Sequence, residues 1–187
     1  MSNFIISYDE LPVSVNEYLK PSAKIVNGRP IVHLYETKKA KDFKKRFQAY
    51  LKREVKKQGW DKSITDPLEG HWILECIFVQ SRTNQDNNNY FKILCDSLSG
   101  IVTIDDKNIL VRTKKVMYDA KNPRFVAVLK PAEYIGVFNS KEALDEFDRH
   151  NCSLCKKDKS KCAILRKAKE GRIQEDIEGM TCKKKRV

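Results

Sequence analysis

A chain of 187 residues suits one domain of moderate size with room for a small appendage, and 41% apolar residues can support a core. Thirty-seven Lys and Arg against twenty-five Asp and Glu leave a net charge of +12, a balance that favours a polyanionic partner. There is no run of about 18 apolar residues and no charged-then-apolar leader, so nucleic acid is favoured over a membrane, and the cytoplasm is the expected location.

Asn3 to Tyr8 is rich in strand formers and is expected to be the first strand. A loop follows, in which Pro12, Ser14, Asn16 and Tyr18 stand out. Ile25 to Leu34 reads as a short hairpin around Asn27-Gly28. From Thr37 to Gln58, Ala40, Phe43, Phe47, Tyr50, Leu51 and Val55 recur at steps of three and four, the pattern of a helix with one apolar face, Thr37 as its cap and Gly59 as its stop. Its outer face carries Lys38, Lys45 and Lys52. That face suits a DNA backbone, each neutralised phosphate adding affinity and salt sensitivity, and it suits plain solvation equally well.

His71 to Gln80 is the most apolar stretch and reads as a central strand, with Cys76 a small buried hydrophobe. Glu75, inside it, is expected to face solvent or a structural partner rather than a metal cluster. His33 and His71 carry no functional assignment.

Arg82 to Asp106 is the stretch around which the rest is organised. Asn87 to Asn89 suit a helix start and Gly100 the residue after its end, which predicts a helix from about Asn88 to Ser99 and a short extended run over Ile101 to Ile104. Asp86 then precedes the helix, Lys92 and Asp96 lie one turn apart along it, and Asp105-Asp106 follow a turn that doubles back. Hard divalent cations such as magnesium take oxygen ligands, and a nearby lysine can hold a phosphate. Asp and Asn are also common in turns and caps because they bond local backbone amides. Cys95 is expected to be a core thiol.

Ile109 to Tyr118 and Arg124 to Leu129 read as two strands joined through Asp119 to Pro123 as an antiparallel hairpin. Arg112, Lys114, Lys115 and Arg124 could offer phosphates a rim. The fold class is α+β, a mixed β-sheet with two main helices over residues 1–135. From Asn139 the composition changes, and residues 139–187 form a small cysteine-rich lobe with a basic tail. A short helix over Ser140 to Arg149 leads to Cys152, Cys155, Cys162 and Cys182 in the spacing C-x2-C-x6-C-x19-C, with a helical segment over Cys162 to Ile177. A tetrahedral zinc ion uses such thiol pairs, and His150 can replace one cysteine. An iron-sulfur cluster and free thiols are the other readings; disulfides do not suit a reducing compartment.

The acidic stretch resembles the signature of the RusA-type Holliday junction resolvases, D-x-D-N-x-x-K-x-x-x-D-x-L followed by a turn and D-D. Here it reads Asp86, Asn88, Asn89, Lys92, Asp96, Leu98 and Asp105-Asp106. Pro12, Ser14, Asn16 and Tyr18 resemble the family's N-terminal segment in the same order, and the likeness spans about Ser7 to Lys130. One position departs: the family's second carboxylate is Asn88, an amide that can ligate through oxygen but brings no charge. A register placing Asn84 and Asp86 at the two acidic positions needs a two-residue insertion before Lys92, so the ungapped register is preferred.

The resemblance implies a metal-dependent endonuclease that resolves four-way DNA junctions in recombination and repair as a homodimer. It implies Asp86 and Asp106 as magnesium ligands, Asn88 as a weaker neutral ligand, Lys92 as the cation on the phosphate side, and Asp105, Asn89 and Asp96 in support, with Asp96 alternatively a helical partner of Lys92. A DNA-binding protein that kept the fold and lost the chemistry is the runner-up, and an RNA-directed module built on the cysteine lobe the third reading.

Overall fold

The computed structural model describes residues 3–68 and 70–186. Strand β1 (Phe4–Tyr8) buries Phe4 and Ile6 on one face, and Ser14 then caps one helical turn, α1 (Val15–Tyr18). Strands β2 (Leu19–Val26) and β3 (Arg29–Glu36) form a two-stranded arm separate from the main sheet. It turns on Asn27 and Gly28, both left-handed with φ of 52° and 74°, as a tight two-residue hairpin requires. Ile25, Val32 and Leu34 on this arm are exposed.

Helix α2 (Lys38–Lys57) starts where the Thr37 hydroxyl accepts the Ala40 N–H, and it buries Ala40, Phe43, Phe47 and Leu51 along one face. Gln58 ends it, and Gly59 follows with φ of 59°. The expected bounds hold here because cap, stop and period agree.

Strand β4 (Trp72–Gln80) buries Trp72, Leu74, Cys76 and Phe78 against the core, and it is central as expected. Helix α3 (Phe91–Leu98) follows, then β5 (Ile109–Tyr118) and β6 (Arg124–Pro131). The sheet is mixed, in the order β1-β6-β4-β5, with β5 parallel to β4 and β6 antiparallel to both of its neighbours. The fold is therefore α+β, as the composition and pattern suggested. Phe47, Phe78 and Phe125 meet in the core between α2 and the sheet, with ring centroids 5.6 Å apart for Phe47 and Phe125 and 6.2 Å for Phe78 and Phe125.

Three expectations for the core are corrected. First, β5 and β6 do not pair as a hairpin; they lie on opposite sides of β4. A strand as apolar as β4 needs a neighbour on each edge, and the Asp119 to Pro123 connection has only to step across one strand, a span of roughly 10 Å. The Asp119 carboxylate accepts the Lys121 and Asn122 N–H groups at 3.1 Å each and shapes that step. Second, the helix of the acidic stretch is shorter: Asn87–Tyr90 form a tight three-residue-per-turn segment, and the α-helix proper begins at Phe91. Third, Ile101 to Ile104 is not a strand. The Leu98 carbonyl collects the N–H groups of Ile101, Val102 and Thr103, so the chain coils over the helix end instead.

The C-terminal residues form a second hydrophobic cluster around Phe138, Phe147, Leu165 and Ala168. Helix α4 (Lys141–Phe147), capped by Ser140, widens into one looser turn over Asp148–Cys152. Helix α5 (Ala163–Lys169) is shorter than the expected Cys162 to Ile177 segment, because Gly171 turns away with φ of 80°. A small hairpin of β7 (Ile177–Glu178) and β8 (Thr181–Cys182), which the sequence reading missed, completes the lobe. Gly136 enters it with φ of 59° so close to α5 that a Cβ there would lie 2.0 Å from the Ala168 carbonyl oxygen.

Candidate active site

The acidic stretch is held by its own polar side chains. Asp86 accepts the Asn88 N–H at 2.9 Å and so caps the tight turn, leaving its carboxylate exposed. Asn87 donates to the Thr113 hydroxyl at 2.6 Å, which pins the turn to β5. Tyr90 is buried, its ring 5.2 Å from that of Phe78, so the turn is anchored from beneath. Asn88 is exposed and Asn89 half-buried. Asp86 and Asn89 line a groove whose other wall is Ser14, Asn16 and Glu17, with Lys39 at the head of α2. The N-terminal Pro-Ser-Asn segment and the acidic stretch thus face each other across open space.

A polar network joins α1, β3, α2 and α3. Lys92 Nζ reaches Asp96 Oδ1 at 2.5 Å, one helical turn along α3. The other Asp96 oxygen accepts from the Tyr18 hydroxyl at 2.5 Å. That hydroxyl also lies 3.0 Å from Glu36 Oε1, which Lys44 Nζ approaches at 3.0 Å. Burial alone would raise the Asp96 carboxyl, but the hydrogen bonds from Lys92 and Tyr18 prevail and hold it below the usual carboxylate range. Burial and the two carboxylates push the Tyr18 phenol well up, so it stays a proton donor. Lys92 is raised in turn, chiefly by its bond to Asp96 and further by the charges of Asp96 and Asp106, and remains a cation. Glu36 and Lys44 were not singled out from the sequence; their roles depend on β3 and α2 meeting α3, and no local pattern marks that.

The charge of Asp106 acts on Lys92, and burial, with the charges of Asp106 and Asp96, pushes the Cys95 thiol up to about 12. Cys95 packs against the core and Cys76 is fully buried, as expected of both. Asp105 turns back on its own loop, accepting the Asp106 N–H at 2.7 Å and the Lys107 N–H at 3.4 Å. Lys92 thus stands in the first turn of α3 and Asp96 one turn further on, both within reach of the Asp106 charge or of each other, while Asp86 and Asn89 lie just before the helix and open onto the groove. Among the described residues no three His, Cys, Asp or Glu side chains stand as a group able to hold a metal ion.

Of the basic residues, Lys45 and Lys52 on α2 line a shallow surface concavity with Lys41 and Lys44, and Lys38 is exposed at the start of that helix. Lys115 on β5 is exposed, but Lys114 is engaged in an ion pair with Glu75 at 3.2 Å. Lys130 approaches the same carboxylate at 3.4 Å, so Glu75 has structural partners, as expected. Lys39, which the sequence reading did not single out, is the lysine of α2 that reaches the groove, and it pairs with Glu17 at 2.7 Å. Among the described residues no helix is long and apolar enough to cross a membrane.

A search of curated proteins finds no match. The family model of Endodeoxyribonuclease RusA matches residues 12–128, which takes in the Pro-Ser-Asn segment, the acidic stretch and the strands on either side of β4. This chain belongs to the RusA endodeoxyribonuclease family.

Proposed function

We propose that the chain is a magnesium-dependent endodeoxyribonuclease that resolves four-way DNA junctions, acting as a homodimer, with residues 1–135 as the nuclease core and 139–187 as an added lobe. The observation that carries this reading is the family match across the whole acidic stretch, together with the fixed placement of Lys92 by Asp96 and Tyr18. The donor set is all oxygen, which suits a hard cation such as magnesium and not a soft one. Asp86 and Asp106 would hold it, with Asn88 as a neutral ligand and Asp105 and Asn89 in support. When bound, magnesium lowers the pKa of a water molecule and offsets charge on the phosphate.

The rest is the work of this chain's own side chains. Lys92 presents a permanent positive charge beside the acidic residues, where a phosphodiester gathers negative charge as it is attacked. Asp96 and Tyr18 keep that ammonium from wandering. Lys38, Lys45, Lys52 and Lys115 neutralise flanking phosphates, while Lys114 contributes less because Glu75 already holds it. The exposed Ile25, Val32 and Leu34 of the β2–β3 arm supply apolar surface that a second copy can cover.

A second reading is favoured by one residue: with Asn88 in place of a family carboxylate, a protein that binds junctions without cutting them is the alternative. A labelled four-way junction incubated with the protein and magnesium separates the two. Cleavage is expected, and Asp86→Asn and Asp106→Asn are each expected to reduce it by about a thousandfold with junction binding preserved. A junction that is shifted but never nicked by the unaltered protein overturns the nuclease assignment, and a gain of cleavage in Asn88→Asp would then locate the defect.

A further inference from the structure

We infer that Cys152, Cys155, Cys162 and Cys182 form a four-thiolate zinc site that holds the C-terminal lobe together. The four residues come from four different pieces of the lobe: the end of the looser helical turn, the bend after it, the residue before α5, and β8. All four line one cavity of about 20 Å³, room for a single water-sized body. None is in a disulfide.

The framework around that cavity is built to bring the thiols together. Asn151 is buried and works as a clamp: its side-chain N–H groups donate to the Phe147 and Met180 carbonyls at 2.9 and 3.1 Å, while its oxygen accepts the Cys182 N–H at 2.9 Å. The helical turn bearing Cys152 is thereby tied to the hairpin bearing Cys182. The final residues fold back over the Cys152–Cys155 bend, with the Lys156 N–H donating to the Arg186 carbonyl at 2.8 Å and the Arg186 N–H donating to Cys155 Sγ at 3.3 Å. A backbone N–H aimed at sulfur favours a thiolate over a thiol.

Charge and packing agree. Four thiolates around one zinc ion give up their protons to solvent and keep a net double negative charge; Lys157, Lys184 and Lys185 line the same cavity and offset it, while Lys159, which also lines it, is paired with Asp148 at 2.6 Å. Cys152, Cys162 and Cys182 lean on a cluster whose buried apolar members, among the described residues, are only Phe138, Phe147, Leu165 and Ala168. So small a core does not hold a lobe of this length unaided. The thiols do not stand as a ready ligand set, and the inference is that the ion draws them the remaining distance. His150 is exposed and does not line the cavity, so it is not the fourth ligand.

The test uses the full chain purified without chelator. Elemental analysis is expected to find about one zinc per chain, and cobalt exchanged into the site is expected to give the intense visible bands of a tetrahedral thiolate complex. Cys182→Ser should lose both signals. Removing zinc from the unaltered protein should open residues 139–186 to protease while the preceding residues stay resistant, a readout that does not depend on any variant folding. Zinc-free protein that refuses added zinc and keeps a protease-resistant lobe overturns the inference. So does a disulfide among these residues found by mass spectrometry, or a brown iron-sulfur chromophore.

Discussion

The nuclease core and the cysteine lobe solve the same problem with different means. The core buries Phe4, Phe43, Phe47, Phe78 and Phe125 between α2 and a four-stranded sheet, so its functional side chains ride on a scaffold that apolar burial already fixes. Among the described residues the cluster under the lobe has four buried apolar members, the lobe's elements are short, and its order is concentrated in polar clamps and in the thiols beside them. The difference teaches where each part is vulnerable: the core to loss of volume, the lobe to loss of a polar clamp or of a close backbone approach.

The largest effect is expected from Phe47→Ala, which removes a fully buried ring that contacts Phe43, Tyr8 and Phe125. A cost of about 3–5 kcal/mol is expected, seen as a lower midpoint in urea for the whole core. If the midpoint moves by under about 1 kcal/mol, the claim that this aromatic layer carries the core fails. Gly136→Ala is the counterpart in the lobe. Its Cβ would lie 2.0 Å from the Ala168 oxygen, and its φ of 59° disfavours any side chain. Faster proteolysis after about residue 136 is expected, with the core transition unchanged; a shift of both together would show that the two parts unfold as one unit.

How much of this was legible in the sequence depended on how local the signal was. Helix α2 could be bounded to the residue at its start because Thr37 and the apolar period are read within one segment. The partner choice of β5 and β6 could not, because a five-residue loop serves a hairpin and a step over one strand alike, and only the burial of β4 decides. Lys92 and Asp96 were placed one helical turn apart in advance, and their contact is a property of the helix itself. The contribution of Tyr18, Glu36 and Lys44 rests on contacts spanning 8 to 78 residues between different elements, which no spacing rule reaches. In the lobe the cysteine spacing was visible, whereas Asn151, which ties Cys152 to Cys182, carried no mark of its own.

The smallest expected effect sharpens the comparison from the core's side, because it concerns a place where the core, too, depends on polar bonds. Asp96 and Glu36 are both held below their ordinary carboxylate values by hydrogen bonds that outweigh their burial, Asp96 by Lys92 and Tyr18, Glu36 by Lys44 and Tyr18. A carboxylate depressed in the folded state contributes stability above its unfolded value and loses it as pH falls through the folded one. The melting temperature is therefore expected to be flat from roughly pH 5 to 7 and to decline below about pH 4. Tyr18→Phe removes the shared donor, which lets both carboxyls rise toward protonation. About 1 kcal/mol should be lost at neutral pH and the acid decline should begin at higher pH. Because Asp96 then holds Lys92 without its second anchor, junction cleavage should weaken more than junction binding. Equal loss of both would mean that Tyr18 serves only the packing of α1 and that the lysine needs no such support.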